Sequence, residues 1–119
     1  MKSYFPKLAT IIFGLLFFMM QCAQRGATNF RELARNPNTA IVDVRTPEEF
    51  AAGHIGRSIN IPLPVVLDAM AKLKEYEHII FVCRSGNRSG IARNLFIERG
   101  WENVYNGGAW DTFQRRYLR

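Results

Sequence analysis

Short apolar runs rich in β-branched residues alternate with segments of helical spacing across residues 30–119, and this alternation limits the fold more than any other feature. The apolar runs and the main helical segments lie at residues 40–44, 58–61, 65–74, 78–82, 89–99 and 104–106. Strands that alternate with helices at this spacing favour a mostly parallel sheet covered by helices on both faces. A chain of 119 residues has room for one such domain.

Several segment boundaries carry residues that suit helix ends and turns. Thr46, Pro47 and Glu49 form an N-cap, a first-turn proline and a capping box, and Gly53 ends that short helix. A predicted turn at residues 107–108 leads into a final amphipathic segment. Its aromatic side chains have the spacing of a core-facing helix rather than of a cofactor site: Trp110, Phe113 and Tyr117.

A cysteine stands where the third apolar run ends. Cys83 follows residues 78–82 and precedes a helix that begins near Ser89, and parallel sheets bind ligands at the carboxyl ends of their strands. Backbone N–H groups of the intervening loop can turn inward, and Arg84, Arg88 and the helix N-terminus add positive charge. We therefore expect the pKa of Cys83 to lie below its free value of about 8.5. These features are typical of a nucleophile that holds an anion beside it.

The N-terminal residues differ from the rest of the chain. Lys2 and Lys7 precede a nearly unbroken apolar run over residues 8–20, which is shorter than the roughly 20 residues of a membrane-spanning helix. We interpret residues 1–21 as an export signal and residues 22–29 as a tether. Cys22 follows the run as in a bacterial lipoprotein, so we expect it to be acylated and to anchor the protein to the membrane, although Gln21 stands where a small residue is usual. A cleaved secretory signal and an uncleaved anchor are the alternatives, and all three place the domain in the periplasm or cell envelope.

Charge and cysteine content exclude several functions. Residues 1–21 carry two lysines and no acid, so their removal lowers the net charge from +6 to +4. The sequence has no basic block of the kind that binds nucleic acid. Its two cysteines are Cys22 and Cys83, so an acylated Cys22 leaves a lone thiol and no disulfide framework. No residues have metal-ligand spacing, and we expect neither a metal nor a cofactor.

Five segments occur in the order and at the spacing of one known family, and they cover nearly all of residues 28–119. They are DVRTPEEF (43–50), GHI (53–55), INIP (59–62), CRSGNRS (83–89) and GGAW (107–110). Together they resemble a single-domain rhodanese, a family similar to thiosulfate sulfurtransferases. The chain departs from the family pattern at Arg57, where glycine is usual. The resemblance implies an α/β fold with a central, mostly parallel five-stranded sheet flanked by helices on both faces.

The resemblance also implies a sulfurtransferase that moves sulfane sulfur from thiosulfate or a related small anionic donor. Cys83 matches the persulfide-forming cysteine of the family, and the acceptor is cyanide or a thiol, including a protein thiol. The substrate-cradling loop corresponds to Arg84, Ser85, Gly86, Asn87, Arg88 and Ser89. Thiolate attack on a sulfur–sulfur bond splits the transfer into two displacements, and backbone donors stabilise the anions.

Two other functions remain open. A cysteine-based phosphatase or arsenate reductase also holds an anion in a loop, but those enzymes place arginine six residues after the cysteine, where this chain has Ser89. An inactive rhodanese-like module that only binds a partner is the second alternative.

Residues near the active loop have simpler interpretations. We expect Asp43 and Arg45 to tie the following turn together, with Glu48 or Glu49, and His54 to be structural. His78 starts the strand that Cys83 ends, so the two cannot form a catalytic pair.

Overall fold

A computed structural model of the protein describes residues 12, 14 and 27–119. The predicted export signal and Cys22 lie outside this part of the chain, apart from residues 12 and 14, so both stay predictions. No helix among the described residues is long and apolar enough to cross a bilayer.

Five α-helices, one 3-10 helix and four strands make up the described part of the chain. The helices are α1 (Phe30–Arg35), α2 (Pro47–Ala52), α3 (Met70–Leu73), α4 (Asn87–Glu98), α5 (Trp110–Tyr117) and the 3-10 helix (Leu63–Ala69). The strands are β1 (Thr39–Asp43), β2 (Ile59–Asn60), β3 (His78–Cys83) and β4 (Val104–Ala109). The predicted helix over residues 65–74 is thus mainly a 3-10 helix, with one α-helical turn at its end.

The strands form a parallel sheet in the order β2-β1-β3-β4. The described residues contain four strands rather than the five expected, because only the four apolar runs pair and the segments between them are helices or turns. Strands β1 and β3 occupy the centre, and nearly all their residues are buried. The predicted α/β class and parallel sheet are confirmed.

Alternating residues of the central strands feed two cores on opposite faces of the sheet. Ile79, Phe81 and Cys83 lie on the face covered by α4, α3 and the 3-10 helix, whereas Ile80 and Val82 lie on the face covered by α1 and α5. The predicted cover of helices on both faces is therefore confirmed. Cys83 shares its face with α4, which begins directly after the loop.

Strand β4 contains an irregularity that the sequence analysis mistook for a turn. Phe81 pairs with Asn106 and Val82 pairs with Gly108, so Gly107 is an extra residue in the ladder. A Cβ on Gly107 would lie 2.8 Å from Cγ2 of Ile80, so only glycine fits this bulge without displacing the core. Strand β4 consequently continues through the two glycines to Ala109.

Candidate active site

The loop after β3 wraps closely around the sulfur of Cys83, whose residue is only 1% exposed. Gly86 is the N-cap of α4 and has a φ of +95°, a left-handed conformation that favours glycine. This conformation allows the Gly86 N–H to point back at the sulfur, at a nitrogen–sulfur distance of 3.0 Å. Gly86 therefore allows the loop to close tightly enough for backbone donors to surround the thiol.

The environment of the thiol favours its charged form. Burial raises the pKa of Cys83, but the hydrogen bonds that its thiolate can accept from the Ser89 hydroxyl and from the backbone N–H groups of Ser89, Ser85 and Gly86 outweigh this effect. The pKa consequently lies below its ordinary value, in the direction that the sequence analysis expected. The oxygen of Ser89 lies 3.2 Å from the sulfur and is itself buried.

Asn106 on β4 contacts the same loop, a role that the sequence analysis missed. Its Oδ1 accepts a hydrogen bond from the Ser89 hydroxyl at 2.7 Å, and its Nδ2 donates to the Gly86 carbonyl at 3.0 Å. The contact between Ser89 of α4 and Asn106 of β4 joins residues 17 positions apart, so no local sequence pattern could reveal it. The one available signal was a polar residue at the carboxyl end of a strand next to β3.

The two loop arginines have different surroundings. Arg88 forms a two-pronged ion pair with Glu49 of α2, with nitrogen–oxygen distances of 2.6 and 2.9 Å. This guanidinium is the main reason that the pKa of Glu49 falls to about 2, with smaller contributions from Thr46. Arg84 is exposed and has neither an ion pair nor a side-chain hydrogen bond with any described residue. Arg84 is thus available to a soluble anion, whereas Arg88 is held by the carboxylate.

Asp43 and Arg45 form a buried ion pair beside the loop, with a closest distance of 2.7 Å. Arg45 also donates to the carbonyls of Glu49, within α2, and of Gly53, the C-cap of α2, and lies 4.8 Å from the Trp110 ring centre. These contacts agree with the predicted structural role of the pair. They fix α2, and with it the carboxylate of Glu49, relative to β1.

Neither histidine belongs to the group of residues that surrounds Cys83. His54 stacks on Phe50 at 3.7 Å, and its Nδ1 lies 2.7 Å from the Phe50 carbonyl oxygen. His78 is at the opposite end of β3, where it lines a cavity of about 890 Å³ that does not reach Cys83. Among residues 27–119 no group of His, Cys, Asp and Glu could hold a metal ion.

Comparisons with known proteins agree with this architecture. A family described as the rhodanese-like domain matches residues 26–114. Thiosulfate sulfurtransferase GlpE of Pseudomonas aeruginosa is 34% identical over 100 residues, which cover 83% of this chain and 91% of that protein. Thiosulfate:glutathione sulfurtransferase of Saccharomyces cerevisiae is 35% identical over 82 residues, or 58% of this chain and 59% of that protein.

A solved structure extends the similarity to the fold. The human single-domain sulfurtransferase TSTD1 superposes with a TM-score of 0.61 at 27% identity, covering 72% of this chain and 89% of that one. The resemblance carried by the five sequence segments is therefore confirmed, and the chain belongs to the rhodanese-like domain family.

Proposed function

We propose that this protein is a rhodanese-type sulfurtransferase that moves sulfane sulfur from thiosulfate, or a related donor, to cyanide or a thiol through a persulfide on Cys83. The relatives named as thiosulfate sulfurtransferases support the class of reaction. The observation that carries the mechanism is the buried sulfur that accepts a hydrogen bond from the Gly86 N–H in front of the N-terminus of α4.

The first half-reaction loads the sulfur. The Cys83 thiolate attacks the outer sulfur of thiosulfate, a bond forms between the two sulfurs, and the sulfur–sulfur bond of the donor breaks. Sulfite leaves with the bonding electron pair, and the terminal sulfur of the new persulfide carries the negative charge. Backbone donors at Ser85, Gly86 and Ser89 stabilise this anion, as an oxyanion hole does. Arg84, which is exposed, supplies the cation that attracts the incoming donor.

The second half-reaction transfers the outer sulfur of the Cys83 persulfide to the acceptor. Cyanide or an acceptor thiolate attacks the terminal sulfur, and the electrons of the breaking bond return to Cys83 as a thiolate. No redox cofactor is needed, because each displacement exchanges one sulfur bond for another. A thiol acceptor receives the sulfur as its own persulfide.

Intact-mass measurement of the full chain before and after exposure to thiosulfate tests the proposal. We expect a gain of one sulfur atom that cyanide or a thiol removes, and no gain in Cys83→Ser, whose circular dichroism should match that of the original protein. Absence of the gain in a folded protein would refute the persulfide. Arsenate and aryl phosphate would then test the alternative chemistry of a phosphatase or arsenate reductase.

A further inference from the structure

The orientation of the Asn106 side chain is fixed by two backbone groups. Its Oδ1 accepts from the Gly108 N–H at 3.0 Å, and its Nδ2 donates to the Gly86 carbonyl at 3.0 Å. An N–H can only donate and a carbonyl can only accept, so the opposite amide orientation would lose both hydrogen bonds. The amide oxygen therefore faces Ser89.

This orientation decides where the proton of the Ser89 hydroxyl points. The Ser89 oxygen lies 2.7 Å from Oδ1 of Asn106 and 3.2 Å from the sulfur of Cys83. The amide oxygen is only an acceptor, so the single hydroxyl proton is donated to Asn106. Toward Cys83 the hydroxyl then presents a lone pair, which suits a neutral S–H donor and not a thiolate.

We propose that Asn106 is a positioning residue that holds the Ser89 hydroxyl away from Cys83 until the sulfur is charged. When Cys83 ionises, its proton passes to solvent, and the hydroxyl turns to donate to the sulfur. Asn106 loses that donor but keeps the Gly108 N–H, so its amide oxygen is not left unpaired. The hydroxyl is thus a two-position switch, set by an amide on β4. The inference rests on the proposed function only in taking Cys83 as the reactive sulfur.

The switch implies competition between Asn106 and the thiolate for one proton. Removing the amide oxygen frees the Ser89 hydroxyl to donate its hydrogen bond to the thiolate, which should lower the pKa of Cys83. An aspartate at the same place accepts the proton more strongly and adds negative charge near the sulfur, which should raise that pKa. In a protein that lacks the Ser89 hydroxyl, truncation of Asn106 frees no hydrogen-bond donor for the thiolate. The pKa of Cys83 should then not respond to it.

The test is a pH titration of the ultraviolet absorbance of the Cys83 thiolate in the full chain. Each variant is compared with the same variant carrying Cys83→Ser as well, so that the absorbance of Cys22 is subtracted. We expect Ser89→Ala to raise the Cys83 pKa by about 1, the size of one hydrogen bond to a charged group. Asn106→Ala should lower it by about half as much, and Asn106→Asp should raise it. The double variant Ser89→Ala/Asn106→Ala should match Ser89→Ala alone.

If the pKa of Cys83 changes in opposite directions in Asn106→Ala and Asn106→Asp, Asn106 positions the Ser89 hydroxyl rather than merely supporting the loop. If Asn106 only braces the loop, both variants move the pKa in the same direction, and the alanine effect persists without the Ser89 hydroxyl. Either result would overturn the inference. The titration requires no sulfur transfer, so a protein that shows the expected signs but gains no sulfur from thiosulfate refutes the proposed function and leaves the switch standing.

Discussion

The two arginines of the active loop carry the same charge but have different neighbours. Arg88 is satisfied by the carboxylate of Glu49, and its guanidinium is only partly exposed. Arg84 follows the nucleophile directly and is exposed. Sequence alone left their roles open, because whether a carboxylate faces an arginine depends on how α2 packs beside the loop. Arg88 is thus paired with a carboxylate, whereas Arg84 is exposed and has no ion pair with any described residue.

Truncation of Arg84 should therefore weaken the binding of thiosulfate. We expect Arg84→Ala to raise the KM for thiosulfate about tenfold, the effect of losing one charge-assisted hydrogen bond, with little change in kcat. Steady-state kinetics with cyanide as acceptor measures this change. Arg99→Ala removes the same charge at the far end of α4 and is the control. Equal effects of the two substitutions would show that general positive charge, not Arg84, attracts the donor.

Among the elements, β4 departs furthest from its sequence pattern and has the most influence on the site. The predicted strand ended at Asn106, whereas the observed strand runs to Ala109 through a bulge at Gly107. Asn106 pairs with Phe81 directly before the bulge, and its side chain reaches Ser89. A glycine is required at position 107 because the backbone there lies directly against the side chains of Ile80 and Val82.

A side chain on Gly107 should destabilise the protein by overpacking the core. In Gly107→Ala the new methyl group would lie 2.8 Å from Ile80 and 2.9 Å from Val82, both fully buried. We expect a loss of about 1–3 kcal/mol in the free energy of unfolding, measured by urea denaturation. Gly56→Ala is the matched control, because no atom lies within 4 Å of its added methyl group. A Gly107→Ala protein as stable as the control would contradict this description of β4.

The sequence predicted the elements better than it predicted their contacts. The β-branched runs marked β1 and β3 correctly, and the capping box at Thr46 and Glu49 is present at the start of α2. The bulge could not be predicted, since two glycines suit a turn as well as a strand that needs close approach. The contact of Asn106 with Ser89 joins residues 17 positions apart on β4 and α4, and local patterns carry no information about it.

At the scale of the whole molecule, an ion pair ties the helix after β1 to the helix after β3. Glu49 caps its own helix through Thr46 and also binds Arg88 of α4. The carboxylate is therefore shared between local helix formation and the closure of the active loop. Its pKa is about 2 in the folded protein, against an ordinary value of 4.5.

This difference makes the fold sensitive to acid. A carboxyl whose pKa is lowered by folding stabilises the protein fully above pH 4.5 and loses that contribution as the pH falls toward about 2. We expect Glu49→Gln to be less stable than the original protein at neutral pH, with the difference shrinking as the pH falls through this range. Urea denaturation at several pH values measures it. Glu48→Gln, on the same helix turn, is the control, and a difference that stays constant with pH would contradict the assignment.

Burial of Cys83 also decides which oxidation products the protein can form. A disulfide between two proteins requires their Cβ atoms to approach to about 4 Å. The loop and α4 enclose this cysteine so that only 1% of it is accessible. A second folded protein cannot bring a cysteine that close without opening the loop, whereas the outer sulfur of a persulfide lies one bond further out. Under the proposed function, the loop thus protects the resting thiol from mixed disulfides and leaves the transferable sulfur within reach of an acceptor.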